Sequence, residues 1–234
     1  MRLNKHISES GLCSRRQADA WIAAGRVTVN GARGELGTQV KPGDAVLVDG
    51  KPLPMRKSAV YIALHKPRGI TSTTERHVPG NIIDFVGHPE RIFPIGRLDK
   101  ESEGLILLTS DGDIVNEVLR EEHGHEKEYL VTVEPAVTAN FLAMMAAGVR
   151  IGGEKTKPAR VTRVDANRFR IVLTQGLNRQ IRRMCSALGW RVRRLVRTRI
   201  MHIRLGDLPA GRWRDLTEAE LKPLLAILAH GKKR

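Results

Sequence analysis

The sequence predicts an α+β protein: a small N-terminal module, built as a helical hairpin plus short strands, followed by a larger domain around a mixed, largely antiparallel sheet. Three observations predict it. Apolar residues at helical spacing mark a short basic segment at the start; a polar, Pro-bearing stretch then interrupts the chain; and beyond it β-rich runs and helices follow one another without strict βα alternation. The 234 residues are enough for one large and one small domain, and a hydrophobic content of 41% supports a real core.

The elements follow in order. A turn of helix spans about 3–10, and Ser14-Arg15-Arg16-Gln17 has capping-box spacing, after which Ala18, Trp21 and Ile22 recur at helical intervals until Gly25 supplies a stop. Short strands near Val27–Val29 and Val46–Val48, separated by Gly- and Pro-rich turns, complete a module at residues 1–54. The run Lys-Pro-Leu-Pro-Met-Arg-Lys-Ser at 51–58 has linker character, so residues 55–59 are taken as the linker and 60–234 as the second domain. That domain opens with a strand at 60–64 and carries a second, buried strand at 105–109. Helices are expected at about 112–120, 138–147 and 178–188, and Thr217-Glu218-Ala219-Glu220 has the spacing to open a fourth before the basic tail Lys232-Lys233-Arg234. No internal repeat or low-complexity tract is present.

Charge narrows the function class. Lys and Arg total 40 against 25 Asp and Glu, a formal charge of +15 with an isoelectric point near 10.6, which calls for a polyanionic partner. Nucleic acid is the first candidate. A membrane is not expected, because no apolar segment approaches the roughly 20 residues that a span requires. Cys13 and Cys185 are far apart, with no CxxC pattern and no secretory leader, as in a cytoplasmic protein; Cys185 reads as a small buried hydrophobe. His123 and His125 form a polar pair, but no cysteine or carboxylate cluster completes a ligand set, so no metal is expected.

The chemistry concentrates in Gly96-Arg97-Leu98-Asp99-Lys100-Glu101-Ser102-Glu103-Gly104. One carboxylate, Asp99, sits in a Gly-bracketed loop that feeds the buried strand, a reactive group on a rigid mount. Between residues 166 and 206 there is no Asp, Glu or Lys, yet arginines recur from Arg168 to Arg204. Such a one-signed block repels itself unless a polyanion lies across it, and the guanidinium fork suits phosphate and base stacking. On the predicted helix at 178–188, Ile181, Met184, Cys185 and Leu188 define the buried stripe, with Asn178 as its cap. At about 100° per residue Arg182 falls on the border of that stripe, while Arg179 and Arg183 point away. A half-buried Arg182 needs a carboxylate, and Asp99 is the expected partner, a pairing that would hold Asp99 ionised. Arg193 and Arg197 are expected to project from one side of a strand toward phosphates.

The segment GRLDKESEGLILLTSDG strongly resembles the signature of RNA pseudouridine synthases, and the N-terminal RLNKHISESGLCSRRQADAWIAAGRVTVNG resembles the S4 RNA-binding domain. GLNRQIRRM, HEKEYLVTV and RTRIM extend the likeness, in the right order, to the RsuA branch that acts on ribosomal RNA. The resemblance implies Asp99 as the catalytic residue, Arg182 as its ion-pair partner and Tyr129 as the aromatic that packs on the target base. It places Arg97, Leu98 and Leu195 in the uracil pocket. Lys5, Arg15, Arg16 and Arg26 in the S4 module, with Arg179, Arg183, Arg193 and Arg197, are the RNA-contact candidates. One departure is the C-terminus, which stops at Arg234 where that type can carry a long basic extension.

The implied reaction isomerises a uridine of large-subunit (23S) ribosomal RNA to pseudouridine, with tRNA as a second candidate substrate, by base flipping and an essential aspartate. It is redox-neutral and no cofactor is expected, in line with the missing nucleotide loop and flavin fingerprint. A monomer is expected. The alternative is a non-catalytic S4-containing RNA-binding or ribosome-assembly protein, which would need neither Asp99 nor Tyr129. A nucleoside hydrolase would want a second acid across the site, and none is identifiable.

Overall fold

The computed structural model of the chain describes residues 1–55, 58–119 and 124–231. Two compact units divide it: one comprises residues 1–59 with 89–91 and 110–112, the other residues 60–88, 92–109 and 113–234. Residues 56–57 of the expected linker, Arg120, His123 and the basic tail at 232–234 lie outside the described residues.

In the first unit α1 (Leu3–Glu9) and α2 (Arg15–Ala23) pack over a four-stranded sheet of β1 (Val27–Val29), β2 (Ala32–Arg33), β3 (Val46–Val48) and β4 (Lys51–Pro52) in the order β2-β1-β3-β4. Leu3, Ile7, Ala18, Ile22, Val27 and Val46 form its core. The Ser14 hydroxyl accepts from the Gln17 amide at 3.1 Å, capping α2 as its spacing predicts. β2 and β4 are additions to the sequence reading, and both close two-residue hairpins. Asn30-Gly31 and Asp49-Gly50 adopt positive φ at both positions (51° and 82°; 52° and 74°), the signature of type I′ turns.

The second unit contains β5 (Tyr61–Lys66), α3 (Ile82–Val86), β6 (Phe93–Ile95), β7 (Glu103–Thr109) and most of α4 (Gly112–Leu119). β8 (Lys127–Glu134), α5 (Ala139–Ala147), β9 (Arg150–Ile151), β10 (Glu154–Lys155), β11 (Arg160–Arg163) and β12 (Arg168–Leu173) follow. α6 (Gln180–Ala187), β13 (Arg191–Ile200), β14 (Ile203–Arg204), β15 (Trp213–Asp215) and α7 (Glu218–Gly231) complete it. The sheet runs β11-β12-β8-β13-β7-β5-β15, with β14 on β13 and β6 on β7. Among the described pairings only β13 with β7 is parallel, so the sheet is mixed and largely antiparallel, as expected.

Burial follows the two-residue period of the strands. Leu105 and Leu107 of β7 join Ile114 and Leu224 on one face, whereas Ile106 and Leu108 join Ile62, Leu64 and Leu98 on the other. α5 and α6 cover β8 and β12 through Phe141, Met145, Ile181 and Met184 packed on Val131, Val133 and Phe169. Thr217 and Glu220 form the reciprocal cap that opens α7. α6 departs from expectation. It starts at Gln180, with Arg179 at φ 49° as an N-cap whose side chain makes no capping hydrogen bond, so Asn178 is not the cap. The buried Gln180 side chain instead ties the preceding segment to the helix start, accepting from the Leu177 amide at 3.1 Å and donating to Gln175 at 3.3 Å. α3 also went unpredicted, since five residues are too few to show a helical period.

Candidate active site

Asp99 lies in the loop between β6 and β7, and the chain fastens that loop from several sides. The Gly69 amide donates to the Lys100 carbonyl at 2.7 Å; the Ser72 hydroxyl donates to the Leu98 carbonyl at 2.9 Å and accepts from the Leu98 amide at 3.2 Å. The Ser102 amide closes a turn onto the Asp99 carbonyl at 3.0 Å. The backbone is therefore rigid around Asp99, while its carboxylate makes no hydrogen bond and has no cation within 4 Å among the described residues. A partly buried, unengaged carboxylate on a fixed loop is available to a ligand.

Beneath the loop sits a buried cation that the sequence reading missed. Lys66, at the end of β5, is 0% exposed; its ammonium donates to the Pro67 carbonyl at 2.9 Å and the Ile70 carbonyl at 2.7 Å, stitching the segment that carries Gly69 and Ser72. Burial, and then the nearby Arg197 charge, lower its pKa to about 8, with Asp99 and Glu103 acting in the opposite sense. The signal was the strand period, which puts Lys66 on the same face as Ile62 and Leu64.

Tyr129 on β8 is half-buried and packs against both the apolar cluster that holds Leu98 and the cluster that holds Leu195. Register explains the placement. Tyr129 pairs with Arg197 across β8 and β13, and Val131 pairs with Leu195, so directly opposed side chains share one face. Leu98 is 7% and Leu195 6% exposed, both embedded in core clusters, and Arg97 is exposed.

Arg182 reaches the site from α6 with its side chain 13% exposed, but it does not pair with Asp99. Its Nη2 donates to the Glu101 carbonyl and the Ser102 hydroxyl, each at 3.3 Å, and its Nε lies 4.0 Å from the Glu101 carboxylate. Glu101 is the nearer acid because it points across the α6 end of the loop, where Arg179 also holds it at 3.0 Å. Asp99 acts on Arg182 only as a weaker charge, after burial, Glu101 and Arg179.

Two sets of relatives decide what this arrangement belongs to. A family model described as RNA pseudouridylate synthase matches residues 60–187, and the S4 domain model matches residues 1–46. The chain is 55% identical to the dual-specificity RNA pseudouridine synthase RluF of Escherichia coli O6:H1, over 97% of this chain and 79% of that protein. It belongs to the RNA pseudouridine synthases. The ribosomal large subunit pseudouridine synthase B of Bacillus subtilis is 35% identical over 99% of this chain and 98% of that one. A crystal structure of a pseudouridylate synthase superposes with a TM-score of 0.71 at 32% identity, covering 96% of this chain and 99% of the other. Family membership favours the enzyme over the non-catalytic RNA-binding alternative.

Within this synthase the arginine candidates separate sharply. Arg197 is not a phosphate contact: it is 3% exposed, with Nε donating to the Leu105 carbonyl at 2.7 Å and Nη1 to the Arg97 carbonyl at 3.4 Å. The register shift between Val192 and Arg194 leaves Arg193 as the unpaired bulge residue and breaks the period that would have put Arg193 and Arg197 on one exposed side. β7 lies so close to β13 here that a Cβ on Gly104 (φ 109°) would collide with the Arg197 backbone. Arg193 is exposed but pairs with Glu134, and Arg183 is exposed without an ion pair among the described residues.

The arginine block is also less one-signed in space than in sequence. Glu126, just before β8, pairs with Arg199, β8 supplies Glu128 to Arg170 and Glu134 to Arg193, and Asp165 pairs with Arg168. The Arg199 hydrogen bond holds Glu126 below the usual carboxylate range. In the S4 unit Arg26 is committed to Asp49 at 2.5 and 2.9 Å and lies 5.0 Å from the Trp21 ring centroid, and Lys5 lies 3.5 Å from Glu9. Arg15 and Arg16 are exposed and have no ion pair among the described residues. No cluster of metal-ligating side chains occurs among the described residues, and no described helix is long and apolar enough to cross a membrane.

Proposed function

We propose that this synthase isomerises a uridine of large-subunit ribosomal RNA, with tRNA as a second substrate, acting as a cytoplasmic monomer whose two domains meet at residues 55–59. The clamped Asp99 loop, whose Leu98 belongs to the apolar cluster that Tyr129 packs against, supports this reading, together with likeness to a relative named as dual-specificity. In the reaction the N1–C1′ bond breaks, the uracil turns, and a C5–C1′ bond forms as C5 loses its proton and N1 gains one. The target must leave its stack, and Tyr129 receives it. Asp99 supplies the ionised carboxylate, as nucleophile or as base toward the sugar. Tyr129 and Leu195 confine the detached uracil so that recombination stays intramolecular. Arg197 fixes the loop directly through the Arg97 carbonyl, and Lys66 fixes the neighbouring 67–70 segment, whose Gly69 amide bonds the loop. Mapping pseudouridine in rRNA and tRNA from cells with and without the protein tests the reading. Loss of a 23S position on deletion supports it, and an unchanged map of both RNA classes refutes it.

A further inference from the structure

Beside the Asp99 loop, α6 and the start of β13 wall an open groove of about 710 Å³ lined by Arg68, Arg179, Arg182, Arg191 and Arg193, with Glu101 as its one acidic lining residue. Trp190 forms a stiff side of it: its indole donates to the Ala136 carbonyl at 3.2 Å and its ring lies 4.4 Å from that of Phe141, centroid to centroid. The charges are not balanced. Arg68 and Arg191 have no carboxylate within 4 Å among the described residues, whereas Arg193 is paired with Glu134.

Glu101 occupies the remaining cations in a particular way. Its Oε2 lies 3.0 Å from Nη2 of Arg179 and 4.0 Å from Nε of Arg182, so one oxyanion is shared between two guanidinium groups, as a phosphate oxygen would be. The Arg182 Nε is buried and has no hydrogen-bond acceptor, so the present occupant leaves a donor unused. Glu101 is 56% and Arg179 43% exposed, and an exposed pair of this kind contributes little to stability.

We infer that this groove seats the RNA strand flanking the target uridine, and that one of its phosphates displaces the Glu101 carboxylate from Arg179 and Arg182. The inference rests on the RNA substrate proposed above and adds a location and an internal competitor. Glu101 then works against RNA binding although it lies in the same loop as Asp99. Arg68 and Arg191, with no carboxylate within 4 Å among the described residues, hold neighbouring phosphates.

The test uses the full chain carrying Asp99→Asn, so that binding is read without turnover, and a fluorescein-labelled hairpin RNA with a bulged uridine followed by anisotropy. Glu101→Gln should tighten binding by about threefold or more, and that gain should vanish in an Arg179→Gln background. Glu154→Gln, an exposed carboxylate outside the groove, should change affinity by less than about 1.5-fold. Arg68→Ala with Arg191→Ala should weaken binding about tenfold and flatten the slope of log K against log salt by about 0.7 per lost single-strand contact. A methylphosphonate at one linkage beside the uridine should abolish the Glu101→Gln gain. Unchanged or weaker binding by Glu101→Gln, or a gain that persists without Arg179, overturns the inference. If the wild-type protein still forms pseudouridine in that case, the proposed function stands and only the groove falls.

Discussion

Replacing Arg197 by Met removes a buried guanidinium while keeping most of the side-chain volume. The Leu105 carbonyl then loses a 2.7 Å bond and the Arg97 carbonyl a longer one at 3.4 Å. A buried acceptor left unsatisfied costs about 1–3 kcal/mol, with the weaker bond at the low end. Relief of the repulsion between Arg197 and Lys66 offsets part of this. The net loss is about 1–3 kcal/mol, which for a domain of this size lowers Tm by about 2–12 °C. Since the Arg97 carbonyl lies two residues before Asp99, the single-turnover rate at saturating RNA should fall about tenfold or more, with affinity within about threefold. Arg193→Ala is the control: it should weaken RNA binding and leave Tm nearly unchanged, because its ion pair is exposed. Thermal melts and single-turnover assays on both variants decide the matter. An Arg197→Met protein that melts like wild type and loses affinity instead of rate would refute the reasoning.

Three further outcomes are expected. The Lys66 pKa of about 8 lies below the unfolded value of 10.5, so between these pH values the unfolded chain holds a proton that the folded chain has lost, and stability rises with pH. The stability difference between wild type and Lys66→Met, from urea midpoints at pH 8 and pH 10, should therefore move in favour of wild type; a flat difference would contradict it. Gly104→Ala should cost more than about 3 kcal/mol or prevent folding, since the added methyl meets the β13 backbone at a positive φ; a stable, active variant would show that β7 and β13 can separate. Deleting residues 1–54 should leave the larger unit folded by circular dichroism while weakening RNA binding and blurring site choice; a truncated chain that cannot fold would displace the boundary.

Much of the architecture was legible because it is locally encoded. Ser14 and Thr217 cap the helices their spacing announces, and the unbroken apolar run at 105–109 is a buried central strand. The Asn30-Gly31 and Asp49-Gly50 dipeptides held the information for β2 and β4. The site was less legible where it depends on long-range register. Arg197 sits in a run of arginines that reads as one basic surface, and only its pairing with Tyr129 and Gly104 shows that it is interior. Arg182 was placed correctly at the border of the α6 stripe, yet its acidic neighbour is Glu101, because loop geometry and not helix projection decides which carboxylate of the motif comes nearest. Lys66 escaped notice because a lysine at a strand end reads as solvated, although its parity with Ile62 and Leu64 points inward.

The central claim is that the Asp99 carboxylate performs the chemistry on a flipped uridine. Its most direct measurement is tritium release from RNA labelled at C5 of uridine, because pseudouridine formation expels the C5 hydrogen. Wild type should release tritium in proportion to the pseudouridine formed. Asp99→Asn, at a side chain that makes no hydrogen bond among the described residues, should bind the same RNA within about twofold and melt close to wild type, yet release none. Tritium release by Asp99→Asn at a rate comparable with wild type would contradict the account.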